Sequence, residues 1–216
     1  MQRRLTGGRI ALSLVGLALT LGLVLIHANQ WGERFFGLTP LQSRDAFWWP
    51  ILFVTLIYVV AVERRPLSSL GLRRPTWMTP VFGVAFALVL FALDPLSDLL
   101  IRVVHLQQQG GSAEHAIVVM PTWYKLVLVT RAALAEEVVF RGYAIERIEE
   151  LTGSKTLAVA ASVATFTAAH AAYWGWASLL GVAVGGLALA LFYLWRRDLV
   201  ACMLAHFIVD AWGLLA

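Results

Sequence analysis

WYKLVLVTRAALAEEVVFRGYAI, residues 123–145, decides the fold. It is long enough to cross a bilayer, at about 20 residues per crossing, yet it carries Arg131, Glu136, Glu137 and Arg141. The rest of the chain settles how to take it. Of 216 residues, 60% are apolar and 14% charged, and the mean hydropathy is +0.76. Apolar runs recur at 10–27, 47–62, 79–100, 123–145, 156–172, 177–195 and 199–215. They leave no room for a soluble domain. Asp94 and Asp98 interrupt the end of the third run.

Lipid offers the backbone no hydrogen-bond partners, so spanning segments are helices or closed barrels, and barrels need short alternating strands. Long runs rich in Ala, Leu and Val therefore read as helices. The expectation is an all-α polytopic transmembrane bundle of about seven spans, one membrane domain over 1–216. Three N-terminal helices fill 1–121, and the chemistry-bearing helices fill 122–216. The first run follows Arg3, Arg4 and Arg9 but is not followed by a small-residue cleavage site, so it reads as a retained anchor.

Short cytoplasmic loops carry an excess of Lys and Arg. With the N-terminus inside, Arg3, Arg4, Arg9, Arg64, Arg65, Arg73, Arg74, Arg147, Lys155, Arg196 and Arg197 fall inside, against Arg34, Arg44 and Arg102 outside. The net charge of +4 thus reports topology, and no basic stripe suited to nucleic acid is present. The lone Cys202 reads as a small core hydrophobe. His27, His105 and His115 fall at span ends or in a loop and are expected to be solvated.

Ionisable groups at membrane depth are costly and usually functional. Besides the four in residues 123–145, they are His170, His206 and Asp210. Glu137 and Arg141 are four apart and can pair on one helix face. Glu136 is rotated about 100° from its neighbour and has Phe140 at its own i+4 position, so it is expected to be free and able to act as a general base toward water. Phe166 lies one turn before His170 and can wall its ring. Asp210, four after His206, can hold one imidazole nitrogen. Rises of about 1.5 Å per residue let these helices converge near the midplane, in a cavity opening to the cytoplasmic side.

Glu136-Glu137-x-x-x-Arg141, Phe166-x-x-x-His170 and His206-x-x-x-Asp210 resemble, in order, the three motifs of the CAAX-protease and bacteriocin-processing (CPBP, or ABI) intramembrane endopeptidases, which include the Ras-converting enzyme. The resemblance covers roughly 123–213, and Leu70-Gly71-Leu72-Arg73 is also similar to a stretch in bacterial members. It implies that Glu136 and His170 activate a water, that His206 and Asp210 line the oxyanion site, and that Glu137, Arg141 and Phe166 support them. Relatives often carry Asn at the position of Asp210. An amide can donate to an oxyanion where a carboxylate cannot, so Asp210 is expected either to be protonated or to orient His206 as the donor.

No cofactor is favoured. Zinc is the alternative, with Glu136, His170 and His206 as ligands, although no compact HExxH signature is present. The partners implied are a protein or peptide substrate at the membrane and the bilayer itself, in a bacterial inner membrane. Substrate candidates are a signal-bearing peptide, a bacteriocin precursor or a protein with a C-terminal sorting tail. The competing readings are a non-catalytic scaffold or bacteriocin-immunity protein that binds a peptide, and a proton-coupled transporter. The latter lacks the internal repeat and broken helices of that class.

Overall fold

The computed structural model describes residues 6–25, 29–106, 111–171 and 174–215. His27 lies outside them. The protein is all-helical, 85% helix with no strand among the described residues. The helices are α1 (Gly7–Leu25), α2 (Asn29–Phe36), α3 (Pro40–Ile57), α4 (Met78–Val103), α5 (Ser112–Val118), α6 (Thr122–Glu136), α7 (Glu146–Thr152), α8 (Lys155–His170), α9 (Trp176–Arg196) and α10 (Leu199–Leu215). Two π-helical stretches, Tyr58–Val62 and Glu137–Ile145, continue α3 and α6 without a break.

Four helical runs are long and apolar enough to cross a membrane: α1, α3 with its π extension (Pro40–Val62), α4 and α9. α4 runs through Asp94 and Asp98 to Val103. α10 is apolar but shorter. α8 has 16 residues, about 24 Å against a hydrocarbon core of about 30 Å. The expected span 123–145 is not one α-helix, because its i→i+4 ladder gives way to i→i+5 bonding at Glu137.

α3 starts earlier than its apolar run suggests. Thr39 and Gln42 form a reciprocal capping box, with Pro40 at the first helical position. That brings Asp45, expected in a loop, onto the buried face of the helix.

Contacts at the helix ends give the direction of each element. Arg147 on α7 bonds Glu63, which follows α3. Leu199, opening α10, donates its amide to the Gly71 carbonyl at 3.0 Å. Arg197, closing α9, bonds Glu146 and Glu149 on α7. Thr79, opening α4, donates to Asp198 at 2.8 Å. α3, α6–α7 and α9 therefore finish at one end of the bundle, where α4, α8 and α10 begin. α1 joins the same end near its start, where Tyr58 donates to the Leu12 carbonyl at 2.8 Å.

Gly71 explains its own identity. It has φ 76°, a left-handed value that side chains resist, and an added Cβ would lie 2.8 Å from the Tyr193 ring. Cys202 is buried, and His105 and His115 are exposed.

Candidate active site

The site begins at the junction of α6 with its π-helical continuation. Glu136 is the last α-helical residue and Glu137 the first of the π stretch, and both are buried. π-helical segments recur at functional sites because they re-aim side chains within a continuous helix. Here they send the neighbouring carboxylates to different partners.

Glu137 Oε1 accepts from Arg141 Nη1 at 2.9 Å and meets His206 Nδ1 at 2.9 Å. It thus ties the π stretch to α10. Arg141 also donates through Nη2 to the Gly186 carbonyl at 3.1 Å and lies 4.4 Å over the Phe166 ring. Gly186 has to be glycine for this. A Cβ there would lie 2.9 Å from Phe166 Cδ1.

His206 is held from both sides, with Nε2 3.2 Å from Asp210 Oδ2. The expected Asp210 contact is present, but Glu137 makes the shorter one. Neutral imidazole has one N–H, so a doubly protonated ring satisfies both carboxylates. The charges then balance, Glu137 and Asp210 against Arg141 and His206.

His170 closes α8. Its Nδ1 lies 2.8 Å from the Phe166 carbonyl, which can only accept. That fixes a proton on Nδ1, and in the neutral ring the Nε2 lone pair points outward. Nε2 faces Glu136 Oε2 at 3.9 Å. The Phe166 ring packs at 4.6 Å on His170, and Trp174 lies at 6.2 Å. The structure therefore brings Glu136 to His170, and His206 to Glu137 and Asp210.

One expectation is corrected. Glu136 is not free, because its Oε1 accepts from Arg131 Nη1 at 2.9 Å. The partner sits five residues earlier, about 140° away on an ideal wheel, so a search at i±4 misses it. Asp45 was also missed. The signal that could have found it is the Thr39/Gln42 capping box, which starts α3 before the apolar run.

The zinc ligands expected from the sequence, Glu136, His170 and His206, have other partners in this arrangement. Zinc needs three or four convergent lone pairs, but both His206 nitrogens face carboxylates and Glu136 Oε1 is taken by Arg131. Among the described residues no three His, Cys, Asp or Glu side chains are grouped to hold a metal.

Residues 118–212 match the family model described as Type II CAAX prenyl endopeptidase Rce1-like. The match takes in all three motifs and leaves α1 to α4 outside it. No curated protein and no solved structure matches the chain.

Proposed function

From the match of residues 118–212 to the Rce1-like family model, we propose that this integral membrane protein is a CAAX-type intramembrane endopeptidase whose nucleophile is a water held between Glu136 and His170. The observation that carries this is the 3.9 Å separation of Glu136 Oε2 from His170 Nε2. It is too long for a hydrogen bond and suits one bridging water. Both groups are acceptors, so the water donates one proton to each and turns a lone pair outward.

The chemistry follows from these positions. The water oxygen attacks the scissile carbonyl carbon, and its proton passes to the Glu136–His170 pair acting as general base. The carbonyl oxygen becomes an oxyanion stabilised by the His206 N–H. Asp210 is the more exposed of the two carboxylates on that ring and makes the longer contact, so Nε2 is the pole that turns to substrate. Glu137 holds the other pole. The proton then moves to the leaving amine nitrogen as the C–N bond breaks. Arg141 and Phe166 keep Glu137 and His170 in register. No metal takes part in this scheme.

The substrate is a protein or peptide presented at the membrane, cut near a C-terminus or within a precursor segment. The chain resides in a bacterial inner membrane with about seven spans and the N-terminus cytoplasmic. The shared end of α3, α6–α7 and α9 supports that alternation.

Purified protein in liposomes, given an internally quenched farnesylated CAAX peptide and a panel of precursor peptides, tests the reading. Glu136→Gln, His170→Ala and His206→Ala should each cut turnover by at least about 10²-fold, the lower range for loss of a general base, while remaining folded. Chelators should leave the wild type active. Full turnover by Glu136→Gln would overturn Glu136 as the base, whereas wild-type protein that binds the peptides and cuts none of them would favour a peptide-binding scaffold.

A further inference from the structure

Arg131 is the one membrane-depth charge in residues 123–145 that the three motifs leave unexplained. It is buried, as is Asp45 on α3. Its Nε donates to Asp45 Oδ1 at 2.6 Å and its Nη1 to Glu136 Oε1 at 2.9 Å. Trp48, three residues after Asp45 on the same helix, packs its ring 5.5 Å from the guanidinium and 6.2 Å from the Phe140 ring.

We infer that Asp45 and Arg131 form a positioning relay that holds one oxygen of Glu136 so that the other faces His170. The inference rests on the reading of Glu136 as base. Arg131 and Glu136 do not share a helix face, so their contact is not a default of helix geometry. It requires Arg131 to be drawn to one side, and Asp45 with Trp48 supplies that pull from α3. The guanidinium is a rigid planar fork. Fixing Nε against Asp45 therefore fixes where Nη1 points, and α3 sets the rotamer of a side chain on α6.

The arrangement also divides the labour of the carboxylate. Oε1 is committed to Arg131, while Oε2 has the facing lone pair of His170 at 3.9 Å. Asp45 and Glu136 take different nitrogens of the same guanidinium, Nε and Nη1, so Arg131 anchors one oxygen of Glu136 and leaves the other to act as a base. Asp45 and Trp48 lie outside residues 118–212. The N-terminal half of the chain thus contributes to a site whose motifs all lie in the other half.

A purely structural strut between α3 and α6 would have the same contacts, and Asp45 variants separate the two roles. Asp45→Ala leaves Arg131 and Glu136 as a matched pair but removes the external anchor. Asp45→Asn keeps an acceptor oxygen in place. With the farnesylated CAAX peptide as probe, Asp45→Ala should lower kcat by about 10²-fold, the scale of a slight misplacement of a reacting group. KM should be unchanged, the thermal midpoint close to wild type, and Asp45→Asn should recover most of the rate. Wild-type kcat in Asp45→Ala, alongside an inactive Glu136→Gln, would overturn the relay and leave the protease reading standing.

An arm that needs no substrate follows the His170 ring by NMR across pH. Glu136→Gln should change the His170 titration in the wild-type background and leave it unaltered in Asp45→Ala. If the change persists without Asp45, the relay is wrong. If Glu136→Gln turns over as fast as wild type, the reading beneath the relay fails as well.

Discussion

At the residue scale, the proposed chemistry depends on how His206 is held in a buried charge cluster. Glu137 and Asp210 take opposite poles of its ring at 2.9 and 3.2 Å. Glu137 is fully buried, whereas the Asp210 side chain is 34% exposed. The exposed carboxylate is the one that can yield to a substrate oxygen without leaving a charge stranded in lipid. An asparagine would accept from Nε2 through its carbonyl oxygen and offer its amide N–H groups to an oxyanion. Asp210→Asn should therefore retain or raise turnover of the cleaved peptide, whereas Asp210→Ala should lower it by up to about 10²-fold, the small end of the loss on removing an oxyanion donor. A rate for Asp210→Asn as low as that of the alanine variant would show that Asp210 is needed as a carboxylate.

At the element scale, the site depends on how closely α9 approaches α8 and the π stretch. Gly186 lets the Phe166 ring and the Arg141 guanidinium reach the α9 backbone, and an added methyl would meet Phe166 at 2.9 Å. Phe166 cannot retreat freely, since it packs on Phe140 at 5.1 Å and on His170 at 4.6 Å. Gly186→Ala should cost about 1–3 kcal/mol, as overpacking does, seen as a lower thermal midpoint in detergent together with a slower kcat. Gly181, on the same helix with nothing within 4 Å of its Cβ position, is the control. Gly181→Ala should be neutral or stabilise by up to about 1 kcal/mol through helix propensity.

Sequence spacing revealed part of this arrangement. The i,i+4 pairs Glu137–Arg141 and His206–Asp210, and the Phe166 wall on His170, are properties of one helix at a time and can be read from the chain. The partner of Glu136 could not be, because it depends on Asp45 pulling Arg131 across from another helix. Nor could the change of hydrogen-bond register at Glu137, since no residue of Glu137–Ile145 forbids α-helical bonding. α8 and α10 were visible as apolar runs, but only packing shows that they carry His170 to Glu136 at the end of α6 and His206 to Glu137 on the π stretch.

At the scale of the whole molecule, charged side chains gather at one end of the bundle. Arg65 pairs with Glu150, Arg147 with Glu63 and Ser69, and Arg197 with Glu146 and Glu149. Burial disfavours the Arg197 cation, but the Glu149 and Glu146 carboxylates outweigh it and raise its pKa, so it stays charged at every working pH. The partly exposed pairs of Arg65 and Arg197 contribute only about 0–1 kcal/mol each, whereas the Arg147–Glu63 pair is buried. Their effect is on topology, because segments 63–79, 146–150 and 197–199 are tied to the same end of the bundle. These are the segments rich in Arg, the composition of cytoplasmic loops. Cys202 is buried, so the wild-type chain offers a silent background for a membrane-impermeant maleimide. Single cysteines at the exposed positions Arg74 and Lys155 should label only from the cytoplasmic side, and those at the exposed positions Arg102 and His115 only from the opposite side. Labelling of Arg74→Cys and Arg102→Cys from the same side would mean that α4 does not cross. The reverse pattern at all four would invert the protein and place the α7 end, with its arginines, outside.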